Sequence, residues 1–200
     1  MAIRFQYNKT SLTELDKQLK MRVQALPTIK SKESALRLEV KKAKEMATEY
    51  ADRLNELSSR YSDMMALWGE FDPDLLRIRD VELSVNKIAG VRIPVLSRIL
   101  FEEKPYDLFS SPIWIAEGIA VLEQLAQLGV AGEFYAHKMH LLEHARKKTT
   151  QKVNLYEKVQ IPEYENAIRK IKRFMEDEEN LSKSAQKIVK NRHEKEEAVS

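Results

Sequence analysis

The stretch Leu12–Trp68, LTELDKQLKMRVQALPTIKSKESALRLEVKKAKEMATEYADRLNELSSRYSDMMALW, decides the fold. Counted three then four residues at a time from Leu12, it gives Leu15, Leu19, Arg22, Leu26, Ile29, Glu33, Leu36, Val40, Ala43, Ala47, Tyr50, Leu54, Leu57, Tyr61, Met64 and Trp68, apolar at every step except Arg22 and Glu33. A repeat of about 3.5 residues keeps one narrow stripe facing a partner helix, which is the mark of a coiled coil. At 1.5 Å per residue the segment makes a helix of roughly 85 Å, too long for the interior of a compact domain. Pro27 is expected to bend it near one end. Arg22 and Glu33 read as polar residues that set register, or as an outward turn of the seam.

Downstream the period changes. Glu70-Phe-Asp-Pro-Asp74 after Gly69 reads as a helix stop and turn. Val81, Leu83 and Val85 then alternate with polar residues, as do Val91, Ile93 and Val95 beyond Ala89-Gly90. This predicts a β-hairpin from about Arg77 to Leu100, within an insert of about 75–105, turning near Gly90. Pro94 lacks an N–H, so its strand should have an open edge. A lone hairpin is marginal in water and should lean on a helix. Ser110-Ser111-Pro112 marks a second helix start, with a serine cap and proline in the first turn. That helix is expected over about 112–190, with slips in its apolar pattern between Val159 and Ile161 and around Phe174, and a frayed tail at 191–200.

Neither helix can bury its stripe alone. The expected fold is therefore mainly α: a long antiparallel two-helix coiled coil with a short β-hairpin insert between the helices, residues 1–200 forming one elongated domain with the first helix over about 11–68. Its seam should comprise Leu36, Val40, Tyr50, Leu54, Leu57, Tyr61 and Trp68 against Tyr164, Ile168 and Ile171. Setting Leu12 beside Ile188 would place Ile29 by Ile171, Leu36 by Tyr164 and Trp68 by Gly132, with Ile113–Leu128 overhanging to support the hairpin.

Composition removes several chemistries. The chain has no Cys, hence no thiol nucleophile, disulfide or Cys-based metal site. Its net charge of +3 comes from 34 Lys+Arg against 31 Asp+Glu, a densely charged but nearly balanced surface. The clusters Lys41, Lys42, Lys44 and Arg146, Lys147, Lys148 sit among carboxylates without interleaved aromatics, so no nucleic-acid partner is expected. The most apolar stretch, Ile113–Leu128, is broken by Glu117, Glu123, Gln124 and Gln127, so no direct membrane span is expected. No glycine precedes a lysine and there is no G-x-G-x-x-G, which leaves no phosphate-cradling loop. His140-Leu-Leu-Glu143-His144 matches the inverted zinc-protease pattern, yet such a match is cheap in a charged helix, and His144 near the seam is more simply a half-buried helical histidine. The residues thus point to no catalytic, cofactor-binding or metal site, and a two-helix coil offers poor pockets.

Three segments, in order, resemble the D subunit of V-type and archaeal-type rotary ATPases. Gln151–Ile171, QKVNLYEKVQIPEYENAIRKI, is similar to that family's C-terminal R-R-V-N-A-L-E-x-V-x-I-P-x-L-E-N-T-I-x-x-I through Val153, Asn154, Glu157, Val159, Ile161, Pro162, Glu165, Asn166, Ile168 and Ile171. Thr28–Leu36, with Lys30 and Lys32, resembles L-L-K-x-K-R-D-A-L, and Asn86–Pro94 resembles the hairpin motif N-I-x-G-V-x-V-P. Gln151 and Lys152 replace an arginine pair, and Glu33 and Ser34 replace Arg-Asp, which suggests a changed partner surface. The resemblance implies a non-catalytic central rotor shaft, peripheral on the cytoplasmic face of a membrane and without cofactors. Both termini would lead into a ring of catalytic and non-catalytic nucleotide-binding subunits. The hairpin end would meet a small central-stalk subunit and an adaptor to the membrane rotor ring. The competing reading from another class is a coiled-coil scaffold or membrane-curvature module, which accounts poorly for the hairpin.

Overall fold

A computed structural model describes residues 3–62, 65–107 and 111–197. Its elements are α1 (Lys9–Arg60), α2 (Met65–Trp68), β1 (Leu76–Ile88), β2 (Val91–Glu103), α3 (Trp114–Asn154), a π-helical turn (Leu155–Gln160) and α4 (Ile161–Glu197). The chain is mainly helical, with a two-stranded antiparallel hairpin between long helices, as the periodicities predict. Contacts gather in two units, one built from residues up to Ser31 and from Thr150 on, the other from Lys32–Thr149.

In the first unit, α1 starts at Lys9 because Asn8 caps it: the Asn8 Oδ1 accepts the Ser11 N–H at 2.8 Å. Leu15, Ala167, Ile168 and Ile171 form the core, covered by Ile3, Phe5, Leu12, Leu19, Tyr164 and Met175. Residues 3–6, outside any helix or strand, thus supply two apolar side chains that no stripe reading finds. Tyr7 packs its ring on Phe174 at 4.9 Å. Past Met175 the helix continues to Glu197 with Leu181 72% and Ile188 55% exposed. The tail expected to fray is therefore helical through Glu197; its Lys and Glu are good helix formers and pair in successive turns, as Lys183–Glu179 and Lys190–Glu194 do. Residues 198–200 lie outside the described residues.

The second unit has two cores. Leu36, Ala43, Ile93 and Leu142 are buried together, with Val40, Ile88, Ala89, Val91, Met139 and Ala145 around them, so the hairpin turn packs on α1 and α3. Leu75, Ile115 and Ile119 form the other core with Phe71, Leu76, Tyr106 and Trp114. Trp68 meets Trp114 edge-on at 6.2 Å, and both rings lie against Gly118, where a Cβ would come within 3.2 Å of Trp114. The first helix ends at Arg60, short of the expected 68, and α2 follows as a separate turn. Asp63 and Met64 lie outside the described residues, as does Ser110 of the expected helix cap. The predicted turn is present: the Asp72 Oδ1 accepts the Asp74 N–H at 2.9 Å, and the Asp72 carbonyl accepts the Leu75 N–H at 3.1 Å. α3 starts at Trp114, two residues beyond the proline.

Facing pairs descend in α3 and α4 as they ascend in α1 within each unit, so both are antiparallel, but the expected register is corrected. Leu15, not Ile29, shares a core with Ile171, and Tyr164 lies under the Arg22 guanidinium rather than by Leu36. Leu36 packs with Leu142, Gly132 faces Tyr50, and Trp68 faces Gly118. The slip is roughly four turns of helix. The physical reason lies in what each register buries. Placing Trp68, Phe71 and Trp114 together buries three large rings, each worth about 150–250 Å². The register set by Leu12 and Ile188 would instead have covered only the sparse apolar residues of late α4. Much of the extra length of the second helical segment lies at its C-terminal end, while α3 also runs past the end of α1, where Ile115 and Ile119 pack with Leu75 and Leu76 at the foot of the hairpin, as expected of Ile113–Leu128.

The strands pair from Ile88↔Val91 at the turn to Leu76↔Glu103, with irregularities between Ile78 and Asp80 and between Glu82 and Leu83. Ala89 at φ 51° and Gly90 at φ 84° form a two-residue turn with both angles positive, the form whose twist suits a hairpin. Counting out from the closing pair, Val85↔Pro94 is a pair without mutual hydrogen bonds, so the missing N–H of Pro94 breaks no ladder bond. Ile93 is 1% exposed, whereas Leu83 and Val85 are 54% and 69% exposed. The face bearing Leu83 and Val85 is thus not what anchors the hairpin; Ile88, Val91 and Ile93 are. Alanine in the left-handed region is strained, and asparagine tolerates it. Ala89→Asn is expected to raise stability by about 0.5–1 kcal/mol, read as a higher Tm, whereas Gly90→Val should lower it.

Candidate functional site

Among the expected seam residues, Leu36 and Val40 share a core with Leu142, and Tyr164, Ile168 and Ile171 share one with Leu15. Leu36, Ile168 and Ile171 are buried, and Val40, Tyr50, Leu54, Leu57, Tyr61, Trp68 and Tyr164 are half-buried. Tyr50 stacks on Tyr135 with ring centroids 5.4 Å apart, and burial pushes the Tyr135 phenol above its ordinary pKa, with the neighbouring Tyr50 adding to the effect. In the hairpin, Val81 is half-buried, Leu83 and Val85 are exposed, Ile93 is buried and Pro94 half-buried, with Gly90 in the turn.

Two of the three segments that resemble the rotary-ATPase signatures, Thr28–Leu36 and Gln151–Ile171, meet in the first unit through Lys30 and Glu157. Lys30 Nζ lies 2.7 Å from the Glu157 carboxylate. Val153, Ile161 and Pro162 are half-buried, while Asn154, Glu165, Asn166 and Lys32 are exposed. Asn154 to Pro162 brackets the π-helical turn, in which the Ile161 N–H reaches back five residues to the Tyr156 carbonyl. Pro162 explains that turn, since a proline ring would clash with the carbonyl four residues earlier in a plain α-helix. The wide turn also stretches the seam step so that Tyr156, Gln160 and Tyr164 keep facing inward. The slip between Val159 and Ile161, next to a proline, is the sequence signal for it.

Of the two charges in the first stripe, Arg22 reaches across. Its Nε donates to Gln160 Oε1 at 2.9 Å, its Nη1 donates to the Gln18 carbonyl and side chain, and its guanidinium sits 4.5 Å from the Tyr164 ring centre. Glu33 accepts from Arg37 one turn on, at 3.1 Å. The Lys30–Glu157 pair is about half exposed on both sides, so it is worth at most about 1 kcal/mol. Lys30→Ala is expected to lower thermal stability by no more than that, and less in high salt; a larger loss would mean that Lys30 also packs.

Several sequence candidates dissolve into ordinary helix surface. Lys41 pairs with Glu45, Lys42 with Glu39 and Arg146 with Glu143, all within their own helices. His140 and His144 are both exposed, contrary to the half-buried position expected for His144, and Leu142 between them takes the inward position. Among the described residues no group of three or more His, Asp or Glu side chains is placed to hold a metal ion. Among the same residues no helix is long and apolar enough to cross a membrane. Asp74 and Arg77 are paired on the surface, which holds the Asp74 carboxyl below its usual range.

Comparison with known proteins agrees with this geometry. The family model for the D subunit of ATP synthase matches residues 11–191. The V-type ATP synthase D subunit of Borreliella burgdorferi is 29% identical over 185 residues, covering 92% of each chain. That of Chlamydia muridarum is 28% identical over 199 residues, covering 96% of this chain and 97% of the other. That of Chlamydia caviae is 29% identical over 183 residues, covering 87% and 88%. The match spans both helices and the hairpin between them, and the chain belongs to the family of ATP synthase D subunits.

Proposed function

We propose that this chain is the central stalk of a V-type ATP synthase, a shaft that carries rotation between a nucleotide-binding ring and an ion-translocating membrane rotor while catalysing nothing itself. The observation that carries the reading is the family match over residues 11–191, on long antiparallel helices whose inward faces are apolar and whose outward faces are laced with ion pairs. Such helices suit mechanical transmission: cores at Leu36–Leu142 and Leu15–Ile171 keep each pair from splaying. The intrahelical pairs, each worth only a few tenths of a kcal/mol, mainly keep the outer face solvated.

In this reading the partners are the catalytic and non-catalytic ring subunits, the small stalk subunit and the adaptor to the rotor ring, and the chain works on the cytoplasmic side of the membrane. The seam residues hold the shaft together and the signature residues set its internal register. The segment of α4 past Met175, with Leu181, Ile188 and Val189 outward, is the part assigned to the ring. The hairpin face with Leu83 and Val85 is assigned to the stalk-side partners, since exposed apolar pairs on a strand favour protein contacts. The test is purification from the native host through a tag on this chain. ATP-hydrolysing ring subunits should come with it, and a preparation of this chain alone, or with unrelated partners, would overturn the reading. Leu83→Ser with Val85→Ser should leave the Tm within a few degrees and remove the stalk-side partner; loss of the ring subunits instead would reverse the assignment of the two ends.

A further inference from the structure

Both helical segments of the first unit carry a backbone defect at the same level. In α1 it is Pro27, which has no N–H for the Val23 carbonyl and whose ring crowds it. In the opposing segment it is the π-helical turn Leu155–Gln160, closed by the five-residue bond from Ile161 to Tyr156 and followed at once by Pro162. Two contacts between the helices fix the level. Arg22, before Pro27, binds Gln160 at 2.9 Å, and Lys30, after Pro27, binds Glu157 at 2.7 Å. Pro27 therefore lies between the two contacts in one helix, and in the other both contacts fall on residues of the π-helical turn itself. Among the described residues the large, fully buried side chains are Leu36, Ile93, Leu142 and Ile171, and none of these lies between Arg22 and Lys30 or between Glu157 and Gln160.

We infer that Pro27 and the π-helical turn form a paired hinge, a level at which both helices bend or twist together, with Arg22–Gln160 and Lys30–Glu157 as latches that set its resting position. An α-helix is stiff because every turn is closed by the same ladder of bonds. A missing N–H in one helix and a widened turn in its neighbour remove that stiffness where they coincide. The Lys30–Glu157 latch is polar and about half exposed, so it exchanges with water at little cost, whereas the apolar cores of Leu15–Ile171 and Leu36–Leu142 do not. The π-helical turn behaves as a one-residue insertion: removing one outward residue restores a three-then-four step from Tyr156 through Gln160 to Tyr164 without moving the seam out of phase. That a shaft would use such a hinge for torsional compliance rests on the central-stalk reading; the hinge itself does not.

The test uses the full chain, whose lack of cysteine allows spin labels to be placed by single cysteine substitutions. Three pairs of exposed positions, each separated by about 26 Å along an ideal helix, are compared by pulsed electron spin resonance: Lys17 with Ser34 across Pro27, Lys152 with Arg169 across the π-helical turn, and Lys41 with Ser58 in uninterrupted α1 as control. The expected result is a broader distance distribution across both defects than in the control. Deleting Lys158, which is exposed, should narrow the Lys152–Arg169 distribution to the control width and also narrow the Lys17–Ser34 distribution in the other helix. Pro27→Ala should do the same from its side, and Arg22→Ala with Lys30→Ala should broaden both. Native widths equal to the control would overturn the proposal. So would narrowing confined to the altered helix, which would mean that the two defects are independent. If deletion of Lys158 lowers the Tm or unfolds the chain, the turn is not a removable insertion, and the Pro27→Ala arm alone then decides between a paired and an absent hinge. No ring subunit enters these measurements, so their failure would leave the central-stalk reading standing, and failure of co-purification would leave the hinge standing.

Discussion

Removal of residues 177–200 is expected to leave the folded chain intact and to uncouple ATP turnover from ion transport in reconstituted complexes. The packed part of the first unit ends at Met175, which lies on the core of Leu15, Ala167, Ile168 and Ile171. Beyond it Leu181 is 72% exposed, and Ile188 and Val189 are more than half exposed, so among the described side chains the deletion removes almost no buried apolar surface. Surface changes of this kind leave stability within about 0.5 kcal/mol per site, and the Tm should move by only a few degrees. The ring, on the proposed reading, loses the surface it turns against. Hydrolysis should persist while pumping per ATP falls severalfold, measured on the same vesicles. A deletion that also took residues 1–20 would be a poorer test, because Ile3, Phe5, Leu12, Leu15 and Leu19 all pack on that core. Full coupling in the 177–200 deletion would place the torque-bearing contacts elsewhere.

The largest stability effect is expected at Leu142. Its side chain is fully buried among Leu36, Ala43 and Ile93, where α1, β2 and α3 meet. Leu142→Ala should cost about 3–5 kcal/mol, since three separate elements must collapse together to fill the space. Leu142→Asp adds the burial of an unpaired charge and should abolish folding, given that a whole domain is stable by only about 5–15 kcal/mol. Ile171→Ala, in the other unit, should cost about 2–5 kcal/mol by the same argument. Because the two side chains belong to separate cores, their losses should add to within about 0.5 kcal/mol in the double variant. Urea unfolding of the native chain, the two single alanine variants and the double variant measures this. A loss below about 1 kcal/mol at Leu142 would mean that the hairpin does not seat on the helices as described.

What the chain's local order settles is settled by near neighbours. A stripe at three and four residues needs no knowledge of its partner to make α1 a helix with one sticky face, and Ala89-Gly90 between alternating strands makes a hairpin wherever it is placed. The signature segments Thr28–Leu36 and Gln151–Ile171 are legible for the same reason, being contiguous in the chain. Even the π-helical turn leaves a trace in the slip beside Pro162. The pairing of Lys30 with Glu157 and the reach of Arg22 to Gln160 are not legible, because each depends on register. Register is the quantity a repeating stripe specifies worst: sliding one apolar seam along another by whole repeats still sets apolar against apolar, at nearly the same local energy. Only the non-repeating contacts break that degeneracy. Trp68 and Trp114 meeting over Gly118, Ile93 packed with Leu36 and Leu142, and Ile3 and Phe5 closing on Ile171's core occur once each. They join residues far apart in sequence, so the tertiary structure alone decided where the two helical segments stop sliding and which stretch of α4 is left without α1 beside it.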